Sequence, residues 1–193
     1  MSRPRRLLFA LAALATVLGL LPGCRSTPPA PHTAPAVDLP AVMGDWYVIA
    51  HVPYFTERGH VGGRDQYTLR DDGRIAVRYL YRTGFSQPWK ELDATATVKP
   101  GTGNRTWRLK FFRFVGAEQQ ILEVAPDNSW MLLAAPGRDL AWIFARRPVL
   151  DETLYRSLVD KLHVYGVDTD KVWRMPHVPE QVGRPGFERP NDP

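Results

Sequence analysis

The chain has 193 residues, 44% of them hydrophobic and 11% aromatic, enough to bury the core of one barrel-sized domain and leave tails over. Its formal charge is +5, but Arg3, Arg5 and Arg6 sit in a segment that reads as removable. Without them 22 basic residues face 20 acidic ones, a net of +2, which gives no argument for a nucleic-acid partner. The single cysteine, Cys24, excludes an internal disulfide.

Residues 1–23 read as a signal peptide. Three arginines precede an apolar run of 15 residues from Leu7 to Leu21, shorter than the roughly 20 that a membrane span needs. Leu21-Pro22-Gly23-Cys24 then resembles a bacterial lipobox, in which cleavage precedes the cysteine and lipid is attached to it. Pro22 departs from that pattern. Lipidation of Cys24 would anchor the chain to a membrane, since each buried CH₂ contributes about 0.8 kcal/mol. A plain signal peptide with an incidental cysteine is the alternative. Residues 24–38 hold the cysteine and a Pro-rich extended spacer.

Residues 43–52 form a hydrophobic strand with a glycine two positions before Trp46. After a loop at 53–63, strand-like segments recur at 64–70, 74–82, 89–99, 105–114, 117–125, 129–135 and 138–146, separated by Gly-, Pro- and Asp-rich turns. Eight short antiparallel strands suit an all-β, up-and-down barrel that leaves no free sheet edge and can hold one small ligand. A three-residue turn at 71–73 pairs Leu69 with Ile75 and Tyr67 with Val77, which keeps apolar side chains on one face, and Gly73 suits the left-handed turn position. The alternation then points Trp46, Val48, Ala50, Tyr67, Leu69, Ile75, Val77, Tyr79 and Tyr81 inward. The same holds for Leu92, Ala94, Ala96, Val98, Trp107, Leu109, Phe111, Leu140, Trp142 and Phe144.

Leu150, Leu154, Leu158 and Leu162 recur every four residues behind Asp151, predicting one C-terminal α-helix packed outside the barrel. Residues 171–175 suit a short ninth strand. The barrel domain spans 39–178, and 179–193, polar and rich in Pro and Gly, is expected to be a disordered tail.

Gly44-Asp45-Trp46 on the first strand and Arg146, which ends the eighth within Trp142-Ile143-Phe144-Ala145-Arg146-Arg147-Pro148, resemble the signature of the lipocalins. The second motif of that family is blurred here into Asp127-Asn128-Ser129-Trp130. Phe55-Thr56-Glu57-Arg58-Gly59, Tyr67-Thr68-Leu69-Arg70-Asp71-Asp72-Gly73 and Gly166-Val167-Asp168-Thr169 resemble the bacterial outer-membrane lipoprotein lipocalins more closely. The resemblance implies a lipid-anchored protein of the outer membrane, with its barrel in the periplasm. Arg25 after the cysteine, in place of an aspartate, points the same way.

Strand direction sets the two ends. If strand one rises from Trp46, strand eight descends to Arg146, so Gly44, Trp46 and Arg146 form a structural floor, with the guanidinium over the indole. The other end is the mouth. Its strand ends carry Tyr79, Tyr81, Trp89, Phe111, Arg113 and Arg138, and its long loop adds Tyr54, Phe55, Arg58 and His60. An apolar shaft with an aromatic, basic rim suits a fatty acid, a lysophospholipid or a similar lipid, bound by Val48, Ala50, Tyr67, Val77, Tyr79, Tyr81, Ala94, Phe111, Arg113, Arg138 and Trp142. Storage or transport of lipid in envelope maintenance would follow.

The alternatives are a filled barrel acting in envelope stress or as an interaction protein, and an enzyme of lipocalin type. No nucleophile elbow, zinc motif or phosphate loop is present, so no catalytic residue, metal or cofactor is assigned. His51, His60, His163 and His177 are scattered without metal-ligand spacing and read as incidental. Asp65 is the one carboxylate aimed inward, near Tyr79, where it is expected to accept a tyrosine hydrogen bond. A pKa well above the ordinary would reopen the enzyme reading. Outward Tyr47, Ile49 and Phe112 could pair two copies into a homodimer.

Overall fold

The computed structural model describes residues 35–112 and 115–192. The signal peptide, Cys24 and Arg113 lie outside the described residues. The strands are β1 (Gly44–His51), β2 (Val61–Leu69), β3 (Ile75–Arg82), β4 (Lys90–Val98), β5 (Thr106–Phe111), β6 (Val115–Val124), β7 (Trp130–Ala134) and β8 (Ala141–Ala145). Each pairs antiparallel with its neighbour in the chain, and β8 returns to β1 to close an eight-stranded barrel. β2 begins at Val61, earlier than the glycines at 62 and 63 suggest, because a bulge between Val61 and Arg64 absorbs them. The first hairpin has the predicted register, Leu69 opposite Ile75 and Tyr67 opposite Val77, with Gly73 at φ +75°.

The floor is built by a 3-10 turn at Pro40–Val42 that leads into β1. Trp46, fully buried, donates its indole N–H to the carbonyl of Val42 at 2.9 Å. Arg146 lies with its guanidinium carbon 3.6 Å from the centre of the Trp46 ring and donates to the carbonyls of Ala41, Met43 and Asp45. Gly44 turns the chain at φ +92°, a conformation costly for any residue with a Cβ. A second arginine completes the base. Arg105 donates to the carbonyls of Ile121 and Leu122 on β6 and of Pro35 ahead of the barrel. With the backbone bond from Val37 to Gly103, this docks the end of the spacer onto the β4–β5 turn. The ordered domain therefore begins before residue 39.

Two apolar layers flank the sheet. The inner one includes Trp46, Val48, Tyr67, Ile75, Val77, Ala94, Ala96, Trp107, Ile121, Met131 and Phe144. The outer one lies under α1 (Glu152–Val164), whose Leu158 and Leu162 pack on Ile49, Ala50, Ala134, Ala141 and Ala145. The four alanines let the helix sit close to the strands. Asp151 caps the helix by accepting from the N–H groups of Thr153 and Leu154.

Three expectations of facing are corrected. The β1–β8 register slips between Val48 and Ala50, so Val48 faces Phe144 inside while Ala50 faces Ile143 in the outer layer. The inserted residue reverses the alternation beyond it and turns His51 inward, opposite Trp142. Leu140 precedes β8 and packs on the outer layer. Leu69, at the last position of β2 beside the turn, is 38% exposed. Of the residues named for a homodimer, Ile49 is buried beneath the helix and Tyr47 packs on the outer layer against His177, which leaves Phe112 exposed.

After the helix, β9 (Trp173–Arg174) pairs with the upper half of β1. The lower half of β1 pairs with β2, from Gly44 opposite Tyr67 to Tyr47 opposite Arg64. Above that, the C-terminal segment bonds to both strands. Met175 N–H donates to the Ile49 carbonyl and Gly62 N–H to the Pro176 carbonyl. The Met175 side chain is buried in the inner layer and its sulfur accepts from Gly63 N–H at 3.1 Å; a Cβ on Gly63 would collide with it. The tail beyond residue 178, expected to be disordered, is instead ordered by backbone and side-chain hydrogen bonds as far as Asp192.

Replacing Trp46 with alanine should lower stability by about 3–5 kcal/mol, the usual range for an aromatic removed from a core. Arg146→Ala should cost about 2–3 kcal/mol through three carbonyls left without their donor. Chemical denaturation of both variants checks this, and an unchanged midpoint for either would remove it from the floor.

Candidate functional site

The inward positions grade from sealed to accessible. On β3, Ile75 and Val77 are buried, whereas Tyr79 and Tyr81 above them retain accessible surface. On β4, Ala96 and Ala94 are buried and Leu92 above them is not. β5 repeats this from Trp107 and Leu109 up to Phe111, and β8 from Phe144 up to Trp142. The lower half is filled by edge-to-face packing of Tyr67 on Trp107, with ring centres 5.2 Å apart. The inward side chains that keep accessible surface on these four strands are therefore those nearest the mouth.

Polar groups gather there. Asp65 accepts the expected tyrosine hydrogen bond, at 3.0 Å from Tyr67, while Tyr79 is its cross-strand neighbour. Burial pushes the Asp65 carboxyl up to about 7, against the opposing pull of the Tyr67 hydrogen bond. Tyr79 shares a hydrogen bond with His60, which stacks on Tyr81 at 3.8 Å between centres. Burial lowers His60 to about 4, so this histidine is neutral.

At the mouth, His51 is held between two carboxylates. Its Nε2 lies 3.0 Å from Glu188 and its Nδ1 3.3 Å from Glu57, which also accepts from the Trp142 indole. Burial alone would depress the imidazole. The hydrogen bonds to Glu188 and Glu57 outweigh it and raise the pKa to about 9, so His51 is a buried cation.

Of the residues expected to bind ligand, Val48, Tyr67, Val77 and Ala94 belong to the inner layer, and Tyr79, Phe111 and Trp142 pack against it. Tyr81 stacks at the mouth on Tyr79 and His60. Ala50 is outside, as described. Arg138 leaves the rim as well. Its own turn residue is at φ +63°, and its guanidinium donates to the carbonyl of Ala135 and to Gln120, whose strand partner Ala134 lies under the helix. Trp89 stands outside the barrel, with the guanidinium groups of Arg82 and Arg64 over its ring. Tyr54 and Phe55 pack on each other at the exposed tip of the long loop. The buried charge at the mouth thus comes from His51, with Glu57 and Glu188 on its two nitrogens, while Arg58 stays exposed on the loop. Strict alternation hid His51; the signal for it would have been a bulge among three successive apolar residues, Val48, Ile49 and Ala50, which has no local mark.

No three His, Cys, Asp or Glu side chains among the described residues are grouped to hold a metal ion. No helix among them is long and apolar enough to cross a membrane, which says nothing of crossing by strands.

The titrations have defined signs. Asp65 is raised from 3.8 to about 7, so the charged form is disfavoured by folding and the cost grows as pH rises through that window. Asp65→Asn should therefore stabilise the fold above pH 7 and do little near pH 4. His51 is raised from 6.5 to about 9, so its contribution is complete below pH 6.5 and lost by pH 9. The destabilisation by His51→Gln should shrink across that interval. Melting curves of each variant against the parent, from pH 4 to pH 9.5, test both; a constant offset in either series would refute its assignment.

Residues 37–177 match the family model described as a lipocalin-like domain. The chain is 24% identical over 157 residues to the outer membrane lipoprotein Blc of Vibrio cholerae, covering 79% of this chain and 90% of that protein. It is 25% identical to the Escherichia coli K12 protein of the same name, over 86% and 96% of the two chains. Temperature-induced lipocalin-1 of Arabidopsis thaliana is 30% identical over 143 residues, 69% of this chain and 76% of the relative. Among solved structures, insecticyanin of Manduca sexta superposes with a TM-score of 0.61 at 16% identity, over 80% and 86% of the chains. Lobster apocrustacyanin A1 gives 0.60 at 13%, over 74% and 81%. These two show the fold alone. With the closed barrel, the Trp46–Arg146 floor and the external helix in place, the chain belongs to the lipocalin family.

Proposed function

We propose that this lipocalin holds a fatty acid, a lysophospholipid or a similar acyl lipid in the upper half of its barrel, as a protein anchored to the outer membrane through Cys24 and facing the periplasm. Storage or transport of lipid for the envelope is the role that follows. The observation that carries the reading is the change along the inward faces: Val77, Ala94 and Leu109 are sealed, whereas Tyr79, Leu92, Phe111 and Trp142 nearer the mouth keep accessible surface. The names of the bacterial relatives support the membrane and the lipid anchor.

Energetics bound the role. Taking a 16-carbon chain from water gains on the order of 10 kcal/mol, at about 0.8 per CH₂. Taking it from a bilayer gains almost none of that, because both surroundings are apolar, so selection among lipids falls to the polar groups at the mouth. The filled-barrel alternative rests on the packing of Tyr67, Trp107 and Met131 in the lower half. The high pKa of Asp65 meets the condition set for reopening the enzyme reading. We read that carboxyl instead as a buried polar group of the barrel interior, because its bonded partner is a tyrosine hydroxyl within the same strand.

Displacement of a fluorescent fatty acid by lysophospholipid, with mass spectrometry of lipid co-purified from the membrane, tests the proposal. Ala94→Phe, which fills the shaft, should weaken binding at least about tenfold, because an overpacked chamber must shift its walls to admit a chain. Arg138→Ala should leave it unchanged. Parent-like binding by the folded Ala94→Phe variant would move the ligand out of the barrel, and no binding by the parent would favour the filled barrel.

A further inference from the structure

The tail crosses the mouth. Arg174 N–H donates to the Gly186 carbonyl and Glu188 N–H to the Arg174 carbonyl, which lays the chain beside β9. Asn191 then donates to the carbonyls of Arg58 and Gly59 on the β1–β2 loop, and Asp192 N–H to the Thr83 carbonyl beyond β3. Two glycines make room for it. A Cβ on Gly59 would collide with Asn191, and one on Gly84 with Asp192. Between residues 182 and 192 the one buried side chain is Glu188. The tail therefore enters the barrel with a carboxylate, and its apolar hold is confined to the half-buried Phe187, which lies under the Arg174 guanidinium.

We infer that the tail is a self-supplied occupant of the lipid headgroup position: Glu188 presents to His51 the carboxylate that a bound fatty acid presents, and an entering fatty acid displaces it. The inference rests on the proposed lipid reading and adds to it the anchoring group and the competitor. His51 lies opposite Trp142, at the top of the accessible part of the shaft, so an acid paired with it sends its chain downward past Trp142 toward Tyr79 and Phe111. His51 carries one positive charge between two carboxylates already. A third carboxylate beside it would be buried and unpaired, so the ligand must replace Glu188. Glu57 is the less suitable member to leave, because it also accepts from the Trp142 indole. The raised pKa of His51 keeps the cation available at neutral pH. Besides the buried pair with His51, the tail is held by the hydrogen bonds of an irregular terminal segment and by Phe187, with no strand ladder or helix to break on opening, and this segment covers the entrance.

The test uses the full chain with a fluorescent 18-carbon polyene fatty acid and its methyl ester as probes. Glu188→Ala vacates the carboxylate position, and Gly84→Val unseats the tail without touching the barrel interior. Removing a competing state raises apparent affinity by the inverse of the competent fraction, so both variants should bind the acid at least about tenfold more tightly than the parent. Glu188→Gln, which keeps a hydrogen bond but no charge, should fall between. The methyl ester cannot pair with His51 and should gain less. In the parent, the acid should speed amide hydrogen exchange at residues 186–192. Equal affinity of parent and variants, an equal gain for acid and ester, or a tail whose exchange is unchanged on binding would each overturn the inference while leaving the lipid reading intact. No binding of either probe by any of these chains would overturn both. If Glu188→Ala melts before the assay temperature, Gly84→Val decides alone.

Discussion

A closed sheet must satisfy the hydrogen-bonding groups of its first strand on both edges, and in this barrel β1 carries that requirement. One edge of β1 is bonded to β8. The other is divided, with β2 below and β9 with Met175 above. A single strand thus joins the beginning, the middle and the end of the chain. The bulge at Ile49 lies where the partner changes. It puts two successive residues under the helix, and it swings His51 from the outer face into the barrel. Floor, seam and mouth are all consequences of how that one strand is paired.

The two ends of the barrel use arginine and histidine for opposite purposes. At the floor, Arg146 and Arg105 are spent on backbone carbonyls, which places a permanent charge where it terminates strands and anchors the chain that enters the barrel. At the mouth, the cation is a histidine with carboxylates on both nitrogens, one from the adjacent loop and one from the far end of the chain. Both acceptors belong to irregular segments, which can move without breaking the sheet. A rigid base and an exchangeable entrance suit a container.

Much of this was legible in the sequence. Period-2 alternation with regular turn residues defined the strands, and Asp71-Asp72-Gly73 set a register that the structure keeps. Strand parity alone brought Trp46 and Arg146 to one end. The site was less legible. A bulge adds one residue without altering composition, so Val48-Ile49-Ala50 reads as ordinary strand and the facing of Ala50 and His51 comes out reversed. The place of Arg138 at a strand end points to the rim, yet its left-handed turn sends the guanidinium to the helix side. The tail has neither apolar periodicity nor helix formers. Its order comes from polar bonds, several of them between residues more than 100 positions apart, such as Asn191 with Arg58, which no local pattern records.

The seam also bears on how such a barrel is made. β1 is the first strand synthesised, yet the groups that complete its upper half, from β8 and residues 173–176, come last. Until they arrive, the inner layer of Trp107, Ile121, Met131 and their neighbours has no closed wall around it. Closure by contacts this distant in sequence is slow, and exposed strand edges invite pairing between chains while it is pending. The buried sulfur of Met175 is therefore the last stitch of the upper seam: a chain interrupted just before it would hold every strand of the wall and leave the N–H groups of Gly62 and Gly63 without their acceptors.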